Sequence, residues 1–283
     1  MESQASLGIL GPKGTHSEAA AIFLNAHLKQ SYRLVEYGEI FEVLQELKEG
    51  RVDRCLVPVE NMLEGSINIT LDVLAGSDEL RVVRELVWPV HNYLMAKCGA
   101  EEIKKVFSHP QPIAQCQNYL RRHCPQAEVV KVSSTARAAE LVGAEPRESG
   151  WAAICSQRAG ELNGLLTVAA EIQDNMGNCT RFFEIARKDA LPCTEKRDKA
   201  LVICQVDGTR AGSLCDVLEE FASRHVNLTR IESRPARTRL GVYIFFFELE
   251  IGTDEEALRD SLEAVSKKCI WLRNVGEFPV LEA

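Results

Sequence analysis

Apolar residues recur along this chain with two periods that take turns. Leu7–Leu10 is a short apolar run stopped by Gly11-Pro12, the pattern of a strand. Residues 15–30 follow a helical spacing. So do 39–49, where Ile40, Leu44 and Leu47 share a face before Gly50 ends the turn. The reading continues with a strand at Cys55–Val59, a helix at 65–75 and a strand-rich stretch at 81–96. A helix at 110–122, a strand at 127–132, a helix at 134–145, a strand at Ala152–Cys155 and a helix at 156–163 come next. Strands alternating with helices predict mostly parallel sheets covered by helices, and such sheets bind ligands where loops leave the carboxyl ends of strands.

The stretch RKDALPCTEKRDK at 187–199 breaks the pattern. Eight of its thirteen residues are charged and one is proline, so it has no apolar face to bury and reads as a linker over 187–198. Beyond it the pattern is compact. Ala200–Val206 reads as a strand, and 212–225 as a helix with Leu214, Val217, Leu218 and Phe221 on one face. Leu228–Ser233 and Leu240–Ile251 read as strands, 254–268 as a helix and 270–278 as a last strand. That order, β-α-β-β-α-β over 199–280, is the ferredoxin-like arrangement.

Composition narrows the function classes. A chain of 283 residues that is 46% hydrophobic and 26% charged is long enough for two or three folding units and has no bias towards disorder. The net charge of -8, from 41 acids against 33 bases with no basic cluster, argues against nucleic acid as a partner. No apolar run nears the roughly 18 residues of a membrane span, and MESQASLGIL has no secretory pattern. Ten cysteines without a CxxC, in a chain with no export signal, predict free thiols and a cytoplasmic protein. Histidines are scattered with no metal-ligand spacing, and neither a Walker loop nor a GxSxG elbow is present, so no metal or cofactor is expected.

Four loops carry more polar chemistry than folding requires. Gly11-Pro12-Lys13-Gly14-Thr15-His16-Ser17 links the first strand to the first helix, where backbone N–H groups suit an anion; as an ordinary turn it would use Thr15 or Ser17 as a cap. Glu60 and Asn61 leave the carboxyl end of a buried strand. Ser108-His109-Pro110-Gln111 precedes a helix that Pro110 starts, bringing Ser108 and Gln115 towards one point. Asn178-Cys179-Thr180-Arg181-Phe182-Phe183 sets a hydroxyl beside a guanidinium able to hold a carboxylate in two bonds. Together they predict a cofactor-free cleft around a small anion.

These motifs, in this order and spacing, resemble those of the prephenate dehydratases with a C-terminal ACT domain. The matching segments are GPKGTHS (11–17), VPVEN with Gly65 (57–65), SHPQPIAQC (108–116), SSTARAA (133–139), ICSQRAGELNGL (154–165) and NCTRFF (178–183). In the C-terminal domain they are GSL (212–214), NLTRIESRP (227–235) and YIFFFELE (243–250). The resemblance spans about residues 6–280. Met62 stands where the family usually carries Ser or Thr.

The resemblance implies an α/β fold: a catalytic region at 6–186 of two subdomains arranged like a periplasmic binding protein, plus a ferredoxin-like ACT domain. The first subdomain would use 6–80 and 171–186, the second 81–170, with the active site between them. No chorismate mutase helices precede residue 6, so the likeness is to the monofunctional form. It implies conversion of prephenate to phenylpyruvate on the route to phenylalanine, with Thr180 as proton donor or hydrogen-bond relay and Asn61, Glu60, Ser108 and Gln115 supporting it. Gly14, Thr15, Ser134, Thr135, Asn178, Arg181 and Phe182 would contact substrate. Phenylalanine would bind the ACT domain through Gly212, Ser213, Leu214, Asn227, Leu228, Glu232, Ser233, Arg234 and Pro235 in a homodimer or homotetramer. Two alternatives stay open: dehydration of arogenate, which carries an amine in place of the ketone, and an inert amino-acid sensor.

Overall fold

The alternation of strands and helices closes into two mixed sheets joined by two crossings, with a third sheet docked behind the first. The computed structural model describes residues 4–28, 31–190, 194–253 and 255–283, so the parts of the expected helices and linker at 29–30, 191–193 and 254 lie outside the described residues. The first lobe begins with β1 (Ser6–Leu10), α1 (His16–His27), β2 (Arg33–Tyr37) and α2 (Ile40–Lys48), then β3 (Arg54–Asn61), β4 (Gly65–Ser66), α3 (Asn68–Ala75) and β5 (Leu80–Pro89). The second lobe holds β6 (Tyr93–Ala96), β7 (Lys105–Ser108), α4 (Pro110–Gln115), α5 (Gln117–His123), β8 (Glu128–Lys131) and α6 (Thr135–Ala144). It is completed by β9 (Trp151–Cys155), α7 (Gln157–Leu162) and β10 (Leu166–Ala169), after which β11 (Cys179–Arg187) returns to the first lobe. The C-terminal domain is β12 (Lys199–Gln205), α8 (Ser213–Ser223), β13 (Leu228–Pro235), β14 (Tyr243–Glu250), α9 (Glu255–Ser266) and β15 (Trp271–Phe278), followed by β16 (Val280–Glu282).

The first sheet runs β16-β5-β11-β3-β1-β2, and the second β10-β6-β9-β7-β8. The expected parallel pairing holds for β1 with β2 and β3, and for β7 with β8 and β9. Strands next to a crossing are antiparallel instead: β11 lies between β3 and β5, and β6 between β9 and β10. The boundary expected at residue 80 also moves. β5 pairs with β11 along its length, so the first crossing falls after Pro89. Its apolar Leu80, Val82 and Leu86 bury there, which a crossing segment would leave in water.

Alternation along the central strands sorts side chains onto two faces. Leu56 and Phe182 join α1 residues Ala20, Ala21 and Leu24 in one cluster. On the other face Cys55, Val57, Val59, Phe183 and Ile185 meet Leu44 and Leu47 of α2, and the same cluster takes in Leu201, Ile203, Phe246 and Val275 from the C-terminal domain. The third sheet runs β13-β14-β12-β15 and has the expected ferredoxin-like order. Its opposite face, through Ala200, Val202 and Cys204, packs α8 and α9. This domain is therefore docked on the first lobe rather than hung from it. A Cβ on Gly276 would lie 2.2 Å from the Val82 carbonyl, so β15 approaches β5 closely only because residue 276 is glycine. β16 then adds to β5 in parallel and returns the chain to the first sheet.

Candidate active site

Between the two lobes lies a cleft of about 700 Å³ lined from both sides. The first lobe contributes the loop after β1, including Thr15, His16 and Ser17, the end of β3 with Asn61, and the start of β11 with Thr180. The second contributes His109, Gln111, Gln115, Ser133, Ser134, Thr135 and Arg137. Val90 and Asn92 of the first crossing form its floor.

Thr180 and Asn61 are held in register as partners on antiparallel strands. Asn61 Nδ2 donates to Thr180 Oγ1 at 3.0 Å and to the Cys179 carbonyl at 3.3 Å, while its Oδ1 accepts from the N–H groups of Leu63 and Glu64. The amide is thus fixed at both ends. Because Thr180 Oγ1 accepts this bond, its own O–H is left to point elsewhere.

Two helices aim their N-termini at the cleft. Thr15 caps α1 by accepting from Glu18 N–H, and Ser134 caps α6 by accepting from Arg137 N–H. The remaining first-turn N–H groups have no intrahelical partner and carry the positive end of the helix dipole. One helix belongs to each lobe, so the cleft has an anion-attracting terminus on both walls. Arg137 adds a guanidinium, one nitrogen of which donates to Glu140 at 2.9 Å.

His16 is neutral here. Burial and the nearby His91 push its pKa down to about 4, and its Nδ1 accepts from Trp88 Nε1–H at 3.3 Å. That bond leaves the proton of the neutral ring on Nε2. His109 caps α4 instead, its Nδ1 accepting from Gln111 N–H at 3.4 Å.

The crossings meet under the floor. Asn92 N–H donates to Gln173 Oε1 and its carbonyl accepts from Ile172 N–H, both at 2.9 Å, while Val90 N–H donates to the Asn178 carbonyl. Among the described residues, Asn92 Oδ1, Gln115 Nε2, and Asn178 Nδ2 and Oδ1 are buried here without a partner. Each such atom costs about 1–3 kcal/mol if left unpaired, the kind of strain that binding sites carry.

Several expected site residues lie elsewhere. Glu60 and Arg181 alternate with Asn61 and Thr180 and so face the C-terminal domain. Arg181 donates to Glu60, Glu85 and Glu248, and its charge is spent there rather than on a substrate carboxylate. Ser108 is fully buried and donates to the Ile154 carbonyl at 2.7 Å, tying β7 to β9. Phe182 is core. Gly14 sits behind the cleft as a clasp between lobes. Its carbonyl accepts from Ser156 Oγ at 2.7 Å and its N–H donates to Glu18, which also holds Arg158; a Cβ at its φ of +83° would lie 3.0 Å from Ala159. Thr180, Asn61, Gln115, Thr15, Ser134 and Thr135 are brought together on the cleft wall, with Asn178 just under its floor. Sequence reasoning passed over His16 and Arg137, although both lie inside motifs it quoted. Asn92 was missed too, and its signal was a lone amide inside the strand-rich stretch 81–96.

In the C-terminal domain a cavity of about 310 Å³ is lined by Gly212, Ser213, Leu214, Tyr243 and Phe245 among others. The remaining expected effector residues divide. Asn227 donates to Glu250 at 2.8 Å at the edge of the sheet, beside the partly buried Leu228, and Ser233 and Pro235 alternate onto the exposed face of β13. Glu232 and Arg234 face the first lobe instead: Glu232 accepts from Ser66 Oγ at 2.7 Å, and Arg234 grips Asp72 of α3 in two bonds of 3.0 and 3.1 Å.

Comparison with known proteins fits this geometry. The family model described as prephenate dehydratase matches residues 7–190, and the ACT domain model matches 200–267. The chain belongs to the prephenate dehydratase family. The prephenate dehydratase of Methanocaldococcus jannaschii is 33% identical over 271 residues, covering 96% of this chain and 97% of that protein. The crystal structure of the Arthrobacter aurescens prephenate dehydratase in complex with L-Phe is 33% identical with a TM-score of 0.84, covering 97% of this chain and 90% of that one. The Staphylococcus aureus prephenate dehydratase structure is 29% identical with a TM-score of 0.81, covering 96% and 99%. The family catalyses a carbon–oxygen lyase reaction. Among the described residues no group of three or more His, Cys, Asp or Glu side chains is placed to hold a metal ion, no helix is long and apolar enough to cross a membrane, and nine cysteines are free thiols.

Proposed function

We propose that the interlobe cleft binds prephenate as a dianion, one carboxylate at the start of α1 with Thr15 and the other at the start of α6 with Ser134, Thr135 and Arg137. Opposed anion-binding walls on two lobes suit a substrate with two separated carboxylates. The ring hydroxyl then lies against Thr180. Cleavage of the bond to the ring carboxylate releases carbon dioxide. Its electron pair completes the aromatic ring, and the hydroxide departs as water with a proton that comes from solvent and replaces any the Thr180 hydroxyl passes on. Aromatisation drives the reaction, and the barrier is loss of hydroxide. The Thr180 O–H, directed outward because Asn61 occupies its oxygen, donates to that leaving group as a hydrogen-bond relay. Positioned proton donation of this kind contributes about 10²–10⁴-fold. His16, neutral and bearing its proton on Nε2, can donate to the carboxylate at the α1 wall.

L-Phenylalanine acts as feedback inhibitor through the cavity at Gly212–Leu214. The side chains of Glu232 and Arg234, seated on Ser66 and Asp72, carry the effect to the first lobe. An effector shifts the cleft only as far as it binds two arrangements of this contact differently. The assembly is a homodimer or homotetramer paired through ACT domains, and free thiols fit a cytoplasmic home.

The observation that carries the reading is the Asn61–Thr180 bond at the focus of two anion-binding helix starts. Offering purified protein prephenate and arogenate separately, with and without L-phenylalanine, tests it. Phenylpyruvate from prephenate, suppressed by phenylalanine, is the expected result. Preference for arogenate would move the substrate, and turnover of neither would leave a sensor.

A further inference from the structure

The unpartnered amides under the cleft identify which part of the substrate they read. Asn92 is fully buried, and its backbone is locked to both sides of the second crossing through Gln173 and Ile172. Among the described residues its side chain makes one bond, Nδ2 donating to Gln115 Oε1 at 3.4 Å. That bond uses one end of each amide. The opposite ends, the acceptor Asn92 Oδ1 and the donor Gln115 Nε2, are both buried without partners, and both residues line the cleft that holds Thr180.

The chemistry of the substrate selects the match. The prephenate dianion has two carboxylates and a ketone, which only accept hydrogen bonds, and one hydroxyl, which both donates and accepts. An orphaned acceptor in this cleft is therefore satisfied by one group alone. We infer that Asn92 is a substrate-recognition residue: its Oδ1 accepts from the ring hydroxyl that leaves, while Gln115 Nε2 donates to the same oxygen. This rests on the reading of the cleft as the prephenate site and adds to it the contact that orients the leaving group towards Thr180. A site that hydrogen-bonds a substrate hydroxyl rejects an analogue lacking it, because its own buried groups then stay unpaired.

The test uses the full chain with Thr180→Ala, which slows turnover about 10²-fold or more so that binding is measured before much substrate is consumed. Calorimetry compares prephenate, arogenate and a prephenate analogue carrying hydrogen in place of the ring hydroxyl, each with Asn92 present and with Asn92→Ala. With Asn92 the expected preference for prephenate is at least about tenfold, and Asn92→Ala removes it by weakening prephenate while leaving the analogue unchanged. If Asn92→Ala fails to fold, Asn92→Ser replaces it, and a preserved acceptor is expected to retain part of the preference. An unchanged preference in a folded Asn92→Ala protein overturns the inference. So does a loss confined to arogenate, which would mean that Asn92 Oδ1 reads an amine. Failure of the underlying site is distinguishable: Thr180→Ala would then still turn over prephenate at the rate of the unaltered protein.

Discussion

Thr180 and Arg181 are neighbours on β11 that serve opposite faces of it. Thr180 opens onto the cleft beside Asn61, while Arg181 lies under the C-terminal domain, bound to Glu60, Glu85 and Glu248. Strand alternation makes this unavoidable: adjacent residues cannot both face the substrate. The face of β11 under the C-terminal domain and the face on the cleft are therefore only one residue apart.

Removing Arg181 exposes its face of β11 as a stability element. Arg181→Met leaves Glu85 and Glu248, both buried to within 1% of complete exclusion, without their main cation. Breaking a buried ion pair on one side costs about 3–5 kcal/mol. A lowered unfolding midpoint is expected, with greater loss than for Arg137→Met in the open cleft, and chemical denaturation measures it.

The same network sets an acid limit. Burial alone would raise the Glu85 pKa, but Arg181 and Lys199 outweigh it and hold the carboxyl below its ordinary 4.5. The unfolded chain then binds the proton more readily. This part of the stability is complete above pH 4.5 and is lost as pH falls through the lowered folded value. Arg181→Met should flatten stability against pH in that acid range.

His16 gives a second pH signature. With its pKa near 4, its ring should show no NMR titration between pH 6 and 8, and a midpoint far below the ordinary 6.5. Since the folded form resists protonation, the contribution is complete above pH 6.5 and declines as pH falls towards 4. Trp88→Phe, which removes the N–H that holds Nδ1, should change the ring's tautomer signals while its pKa stays depressed by burial.

Regulation should separate from effector binding at Arg234. Its two bonds to Asp72 join β13 to α3 without touching the cavity at Gly212–Leu214. Arg234→Ala is expected to keep L-phenylalanine binding by calorimetry while inhibition of turnover weakens at least about fivefold, the lower end of ordinary allosteric coupling.

Most elements of the fold were legible because their apolar spacing is local. β2 and β7 were not read: each is only four or five residues long, and Arg33–Tyr37 is an edge strand with few apolar positions. The expected helix 110–122 is two helices, broken at Cys116. The site was legible in its loops but not in its facing. Glu60 and Asn61 look alike as polar strand-end residues, and only the sheet partner decides which one meets the cleft. Ser108 looked like a loop hydroxyl, yet its bond to Ile154 depends on β9, more than forty residues away. The docking of the ACT sheet, which claims Arg181 and Glu232, rests on surface complementarity between separate domains, and no local pattern encodes that.

The central claim is that the Thr180 hydroxyl, fixed by Asn61, assists departure of the ring hydroxyl. Measuring kcat for prephenate with Thr180→Ala, alongside its prephenate affinity by calorimetry, tests it most directly. A fall in kcat of about 10²-fold or more is expected, with affinity changed by less than about tenfold. Full turnover by Thr180→Ala would contradict it.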